Sequence, residues 1–506
     1  MSSSIGFESM LPELQNIIAE YTFTKKCYWS PLARLGVCLR SCNTTYRKTY
    51  TAIVRSEIKN NHKIITFKAR QLNADISAVL FSADYGIFLD VEHVDLSLAV
   101  FDINLLRVLP STLKTLCLDA VRFTVLDEFL YLSHLVNLTS LSLARCEIDN
   151  VKLLNWLAKL PFLGNLTKFC LRGDLIAGAA FAELANAEQL SKLTSLVLSS
   201  NGISDKDVQL LAQSQYMANL TSLDLSCNQI GNASLTCIAS SSYFGNLTEL
   251  ILNHHQQLGD EGIMELARSI NLQRLTKLGI RQCSITAYGL MVILGSEQLT
   301  SLSSLDLEYA DLGCCDGATL GSKPSNLFIS SVTFLNLSKI RTENVFLPII
   351  VNRPLLMNLS SLDLSECYFL INNIDALARS PFVRNITYLN LSGNEVTDDL
   401  VNTLAESSNF SKLTTLNLSY NDIEDEGLIT MSKSPFLSSL IHLDLSYNWI
   451  STSGASYLTK SNFFSRLKKL NLLYNEIDEL GLQDLIQSVK INRLRNLELE
   501  IEPQNI

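Results

Sequence analysis

The feature that most constrains this chain is a spacing. Leu413-Thr414-Thr415-Leu416-Asn417-Leu418-Ser419-Tyr420-Asn421-Asp422-Ile423 follows the pattern L-x-x-L-x-L-x-x-N-x-I. Copies open at Leu166, Leu193, Leu220, Leu247, Leu275, Leu302, Val332, Leu359, Ile386, Leu413, Leu440, Leu467 and Leu494. Most steps are roughly 27 residues, a period that belongs to stacked repeats and not to separate globular domains. Looser copies open at Leu113 and Leu138, and residues 91–96 read as a first one. In Leu416-Asn417-Leu418 the residues alternate, so the leucines share one face and Asn417 takes the other. A single unit cannot bury that leucine face, so neighbouring units must stack and share a continuous core.

The rest of the unit is equally regular. Asn201, Asn228, Asn394, Asn421, Asn448 and Asn475 hold one position after the strand, with Cys146, Cys283 and Cys367 as substitutes. A buried amide there pairs backbone groups that would otherwise be orphaned, and a thiol is a small, weakly donating replacement. The second half of each unit predicts a helix. Asp260-Glu261-Gly262-Ile263-Met264-Glu265-Leu266-Ala267 has Ile263, Leu266 and Ala267 at helical spacing, and its acidic start suits a helix N-terminus. The pattern resembles the leucine-rich repeat of the ribonuclease-inhibitor-like subclass, and Gly178-Ala179-Ala180-Phe181-Ala182-Glu183-Leu184-Ala185 is similar to the GALA-type variant within it. The resemblance covers about four-fifths of the chain. It implies an α/β solenoid, a horseshoe with parallel strands inside and helices outside.

Composition narrows the function classes. A chain of 506 residues would ordinarily hold several domains, but a solenoid grows by repetition. Forty basic residues against 50 acidic ones give a formal charge of −10. That balance opposes phosphate-backbone binding, which needs an electropositive surface, and suits a basic or neutral protein partner. The 12 cysteines are scattered, without paired capping clusters or zinc-type spacing, as in a reducing compartment. Cys314-Cys315 is a vicinal pair in an irregular unit; a redox role would need an activating environment. Asn-x-Ser/Thr triplets such as Asn165-Leu166-Thr167 and Asn219-Leu220-Thr221 recur at one repeat position, so repeat consensus accounts for them. Neither a signal peptide nor a membrane span is expected.

Three helical stretches precede the repeats. Pro12 suits the first turn of a helix, in which Leu14, Ile17, Ile18 and Tyr21 form an apolar stripe. Pro31 to Asn43 and Thr44 to Lys59 continue as two more. This order resembles the F-box, on the residues Leu11, Pro12, Glu13, Ile17, Ile18, Leu32, Leu35, Val37, Cys38 and Tyr46. It departs from that motif in a longer stretch from Thr22 to Ser30 and in Tyr46, where tryptophan is common. The resemblance implies that Leu11, Pro12, Leu14, Ile17, Ile18, Leu32, Leu35 and Val37 dock the adaptor subunit of an SCF-type ubiquitin ligase. The other reading is that these helices only cap the first repeat, whose exposed end needs a cover. The expected layout is a helical module at 1–60, a connecting segment at 61–90, with Ile64 to Phe67 as a short strand, and a solenoid at 91–506.

Outward strand positions are read from the period. One column runs through Asp306, Asn336, Asp363, Asn390, Asn417, Asp444 and Asn471, and two residues on lie Ser338, Ser365, Ser392, Ser419 and Ser446. Next to these stand Tyr309, Tyr420, Tyr447 and Tyr474, with Trp449 after Asn448. Aromatic residues on a small, polar face are typical interface anchors, although a tyrosine ladder also stabilises itself. The candidate partner-binding residues are Asp306, Tyr309, Asp363, Asn390, Asn417, Tyr420, Asp444, Tyr447, Trp449 and Tyr474. No nucleophile, base and orienter converge. His254-His255 lacks a third metal ligand, so neither metal nor cofactor is expected. The function expected is non-catalytic: a substrate receptor of an SCF-type ligase, either a cytosolic protein or a bacterial effector acting in a host cytosol. The alternative is a stand-alone binder or inhibitor whose helices cap the repeats.

Overall fold

A computed structural model describes residues 64–66, 92–97, 106–107, 109–123, 128–148, 161–174, 176–312, 330–340, 346–367, 371–460, 466–491 and 498–500. The expected helical module at 1–60, most of the connection at 61–90 and Cys314-Cys315 lie outside these residues. The chain divides into two compact units, Met1–Gln229 and Ile230–Ile506.

In the first unit the strands are β1 (Ile64–Thr66), β2 (His93–Asp95), β3 (Thr115–Cys117), β4 (Ser140–Ser142), β5 (Lys168–Cys170), β6 (Ser195–Val197) and β7 (Ser222–Asp224). Each runs parallel to the next with central residues paired, Val94 with Leu116, Leu116 with Leu141 and Leu196 with Leu223. β1 pairs with β2, so the ladder reaches back into the segment expected to be a connection. Helices α1 (Ala179–Ala185) and α2 (Asp205–Gln213) supply the second half of their repeats.

In the second unit the strands are β8 (Glu249–Ile251), β9 (Lys277–Gly279), β10 (Ser304–Asp306), β11 (Phe334–Asn336), β12 (Ser361–Asp363), β13 (Tyr388–Asn390), β14 (Thr415–Asn417), β15 (His442–Asp444), β16 (Lys469–Asn471) and β17 (Glu498–Glu500). All pair in parallel and in register, for example Leu389 with Leu416 and Leu416 with Leu443. The helices are α3 (Asn232–Ser240), α4 (Asp260–Arg268), α5 (Ala287–Leu294), α6 (Phe346–Val351), α7 (Ile371–Arg379), α8 (Asp398–Glu406), α9 (Asp425–Lys433), α10 (Thr452–Lys460) and α11 (Glu479–Ile491). The fold is the expected α/β leucine-rich-repeat solenoid. Strand leucines and the inner helix residues, such as Leu400, Val401, Leu404 and Ala405, share one core, with Phe244 and Phe410 fully buried between repeats. Each such large side chain contributes roughly 1.5–3 kcal/mol.

Polar groups lock one repeat to the next. Asn421 Oδ1 accepts from the N–H groups of Asn394 (2.9 Å) and Val396 (3.0 Å), and its Nδ2 donates to the carbonyls of Leu391 and Leu418. Where cysteine replaces asparagine, the thiols of Cys146, Cys283 and Cys367 donate to the carbonyls of Leu118, Leu252 and Leu337. Burial pushes the Cys283 and Cys367 thiols up to about 12, so they remain donors at neutral pH. The Asn-x-Thr triplets also acquire a structural cause. Asn165 Nδ2 donates to Val136 and Thr167 Oγ1 to Thr139, and Asn219 and Thr221 repeat both bonds two units on.

A further lock joins successive helices. Asp425 Oδ1 accepts from the Ser451 N–H at 2.8 Å and Oδ2 from its hydroxyl at 2.6 Å, at the start of α10. Asp260 does the same for Thr286 before α5. The aspartate fits only because Gly454 or Gly289 stands opposite; a Cβ on either would collide with the carboxylate. Alanine favours a helix over glycine by about 1 kcal/mol, yet overpacking costs about 1–3. Gly454→Ala is therefore expected to destabilise the protein by up to about 2 kcal/mol in urea unfolding. The loss should shrink in an Asp425→Ala background; an undiminished loss would refute the lock.

Candidate functional site

Each strand from β8 to β16 ends in a turn that sets one residue apart. His254, Gln282, Tyr309, Lys339, Glu366, Tyr420, Tyr447 and Tyr474 have φ between 51° and 64°, and Gly393 has 66°. This left-handed conformation strains residues with a Cβ by about 1–2 kcal/mol. It aims the side chain out at the rim of the strand face. Parallel strands lie about 4.8 Å apart, close to an aromatic stacking distance. Tyrosines at equivalent rim positions in successive repeats therefore meet face to face.

They do so at Tyr420, Tyr447 and Tyr474. The ring centroids are 3.9 Å and 4.1 Å apart, with interplanar angles of 11° and 23°. Hydrogen bonding by Tyr420, with burial and then Tyr474 adding, pushes the Tyr447 hydroxyl above the ordinary phenol range. Tyr420 and Tyr474 are 57% and 52% exposed, and Trp449 beside them is 57% exposed. Two stacked pairs contribute roughly 1–3 kcal/mol, less than the roughly 3–6 kcal/mol that three left-handed tyrosines cost. Stacking alone therefore neither offsets the strain nor accounts for so much exposed aromatic surface.

These side chains line an open groove of about 870 Å³ that also touches Glu366, Gly393, Glu395, Asp422 and Glu476. Glu395, Asp422, Trp449 and Glu476 each follow a ladder asparagine, so they form a second column beside the tyrosines. Trp449 Nε1 donates to Asp422 Oδ1 at 3.4 Å. The acidic members of this column escaped the sequence expectations, although the position after the asparagine was legible in the period.

The other candidates lie elsewhere in the unit. Asp306 is held by Arg281, whose Nε and Nη2 lie 2.7 Å and 2.6 Å from Oδ2. Lys339 Nζ lies 3.2 Å from Glu308, 3.7 Å from Glu366 and 5.0 Å from the Tyr309 ring centroid. Asp306 and Tyr309 thus belong to an internal ion network. Asp363, Asn390, Asn417 and Asp444 each accept from the backbone N–H two residues on, at 3.0–3.1 Å. Asn390 and Asn471 also donate to Asp363 and Asp444, each at 3.0 Å. This overturns one expectation. The serine column is not outward surface: Ser338, Ser365, Ser419 and Ser446 are buried and Ser392 is half-buried. Leu11, Pro12, Leu14, Ile17, Ile18, Leu32, Leu35 and Val37 lie outside the described residues.

A family model described as leucine-rich repeat matches residues 189–212, 216–239, 246–267, 384–399, 411–432 and 436–458. These segments are leucine-rich repeats. The tyrosine rim therefore lies partly within repeats that the family model matches, at Tyr420 and Tyr447. No curated protein matches the chain. Among solved structures, an internalin (inlF) from Listeria monocytogenes str. 4b F2365 is similar at 20% identity over 71% of this chain and 95% of its own, with a TM-score of 0.42. The structure of a TLR13–ssRNA13 complex is similar at 18% identity over 89% of this chain and 72% of its own, with a TM-score of 0.50. At such identities the likeness is one of fold. Among the described residues, no helix is long and apolar enough to cross a membrane.

Proposed function

We propose that this leucine-rich-repeat chain is a non-catalytic scaffold that holds a protein on the strand face of its second unit. The observation that carries this is the stack of Tyr420, Tyr447 and Tyr474 with Trp449, exposed in a groove on an otherwise polar surface. Interfaces concentrate their energy in such aromatic anchors. The four carboxylate side chains of the groove oppose a phosphate backbone, which favours protein over nucleic acid. The finer reading is a cytosolic substrate receptor of an SCF-type ubiquitin ligase, the GALA-type resemblance also suiting a bacterial effector in a host. Its support is the F-box-like order of Leu11, Pro12, Ile17, Ile18, Leu32 and Leu35 ahead of the repeats.

A titration of the full chain against the eukaryotic SCF adaptor subunit tests the finer reading. Binding at micromolar concentration or below is expected, with at least a tenfold loss in a Leu11→Ala/Pro12→Ala variant whose circular dichroism is unchanged. No binding well above micromolar concentration would leave a stand-alone binder with a helical cap.

A further inference from the structure

We propose that the gap over Gly393 is a socket for one arginine or lysine side chain from a basic segment of the protein partner. This rests on the reading of the groove as a partner-binding face and specifies its chemistry. The rim column runs Lys339, Glu366, Gly393, Tyr420, Tyr447 and Tyr474. Tyr447 covers one face of the Tyr420 ring. The position that would cover the other face is Gly393, which has no side chain, and both residues line the groove. The result is a slot one repeat wide, with Tyr420 on one side and Glu366 on the other. Glu366 Cγ lies 3.0 Å from where a Gly393 Cβ would be.

Charge decides the occupant. Glu395 and Asp422 lie on the flanking column, and no lysine or arginine lines the groove. Glu366 is shared with Lys339 at 3.7 Å, while no ion pair links Glu395, Asp422 or Glu476 to a described lysine or arginine. A cation over a tyrosine face beside carboxylates gains from the ring quadrupole and from the acidic field. The chain fills one such place itself. At the same rim column, Lys339 Nζ sits 5.0 Å from the Tyr309 centroid and 3.2 Å from Glu308. The slot at Gly393 has the ring and the carboxylates without the cation. A planar guanidinium can stack on the ring and donate to the carboxylates together.

The test uses the full chain and two fluorescein-labelled peptides of alternating Gly-Ser and a probe residue. One carries arginine and the other citrulline, which keeps the planar head group and loses the charge. Fluorescence anisotropy should show the arginine peptide binding at least tenfold more tightly, with the difference shrinking as salt rises. Gly393→Asn, a residue that tolerates the left-handed region, should fill the slot and weaken arginine-peptide binding about tenfold. Glu395→Gln should weaken it several-fold and melt as the parent does, and Gly393→Asn, which meets Glu366 in a left-handed turn, should melt lower yet show the parent's circular dichroism at the assay temperature. Equal binding of the two peptides, no binding of the arginine peptide, or full affinity in Gly393→Asn would each overturn the socket. The adaptor titration does not involve this slot, so the two proposals fail separately.

Discussion

Asn421→Ala is expected to cost on the order of 3–5 kcal/mol, more than any change on the groove surface. Asn421 is 5% exposed and serves backbone groups of two successive repeats. Its Oδ1 takes the N–H groups of Asn394 and Val396, and its Nδ2 supplies the carbonyls of Leu391, Leu418 and, at 3.2 Å, Ser419. Alanine leaves these groups unpaired in the core, at roughly 1–3 kcal/mol for each one that cannot find another partner. Relaxation of the turn recovers part of the total. Asn421→Cys should fall between alanine and the parent, since cysteine at equivalent positions retains only the donor bond. Urea unfolding followed by circular dichroism gives the ranking. Because repeats couple mainly to their neighbours, hydrogen exchange should locate the loss in residues around 390–450. A cost below about 1 kcal/mol would show that the turn does not depend on this amide.

The second large effect has the opposite sign. Asp174 occupies the ladder position filled by Asn201 in the next repeat. Its Oδ1 accepts from the N–H groups of Cys146 (2.8 Å) and Ile148 (3.2 Å), as the asparagine oxygen does. Its Oδ2 stands where Asn201 has an NH2 that donates to Leu171 and Leu198. That oxygen is buried and has no hydrogen-bond partner. Burial pushes the carboxyl up to about 7, against the N–H groups of Ile148, Cys146 and Glu147, which pull it down; Asp119 adds to the rise. The folded state therefore binds this proton more tightly than the unfolded chain does. The resulting stability is fully present below the ordinary carboxyl value near 4 and is lost as pH climbs from there to about 7. Asp174→Asn should match the parent near pH 4 and exceed it by on the order of 2 kcal/mol at pH 7.5. Paired urea titrations at several pH values isolate the effect. A difference independent of pH would show that Asp174 is ionised without cost.

The fold was legible because its main determinants repeat. Leucine at fixed offsets, the asparagine ladder and the acidic helix starts each state one physical requirement many times. Single exceptions were harder to see. Asp174 reads as a break in the ladder until its burial shows it to be a member with one atom mismatched. The serine column looked like surface because alternation places it outward, whereas Ser365, Ser419 and Ser446 are buried in the folded chain. The tyrosine column was visible as residues, but the stack depends on a left-handed turn that aligns the rings. The groove's other half was missed for a simpler reason. Glu395, Asp422, Trp449 and Glu476 differ from one another, and a column of unlike residues carries no repeat signal.

The aspartate–glycine lock between helices sets a rule for how such an array can change length. The accepting aspartate sits in one repeat and the permissive glycine in the next, as in Asp398 with Gly427 and Asp425 with Gly454. The repeat that holds Asp425 and Gly427 thus carries a plug for its successor and a socket for its predecessor. Excising one whole period of about 27 residues between them would bring Asp398 opposite Gly454 and restore the joint. A cut that fuses this region to a repeat lacking the glycine would leave a carboxylate facing a side chain. Repeats that keep both halves are interchangeable parts, and those that lack one are fixed in their order.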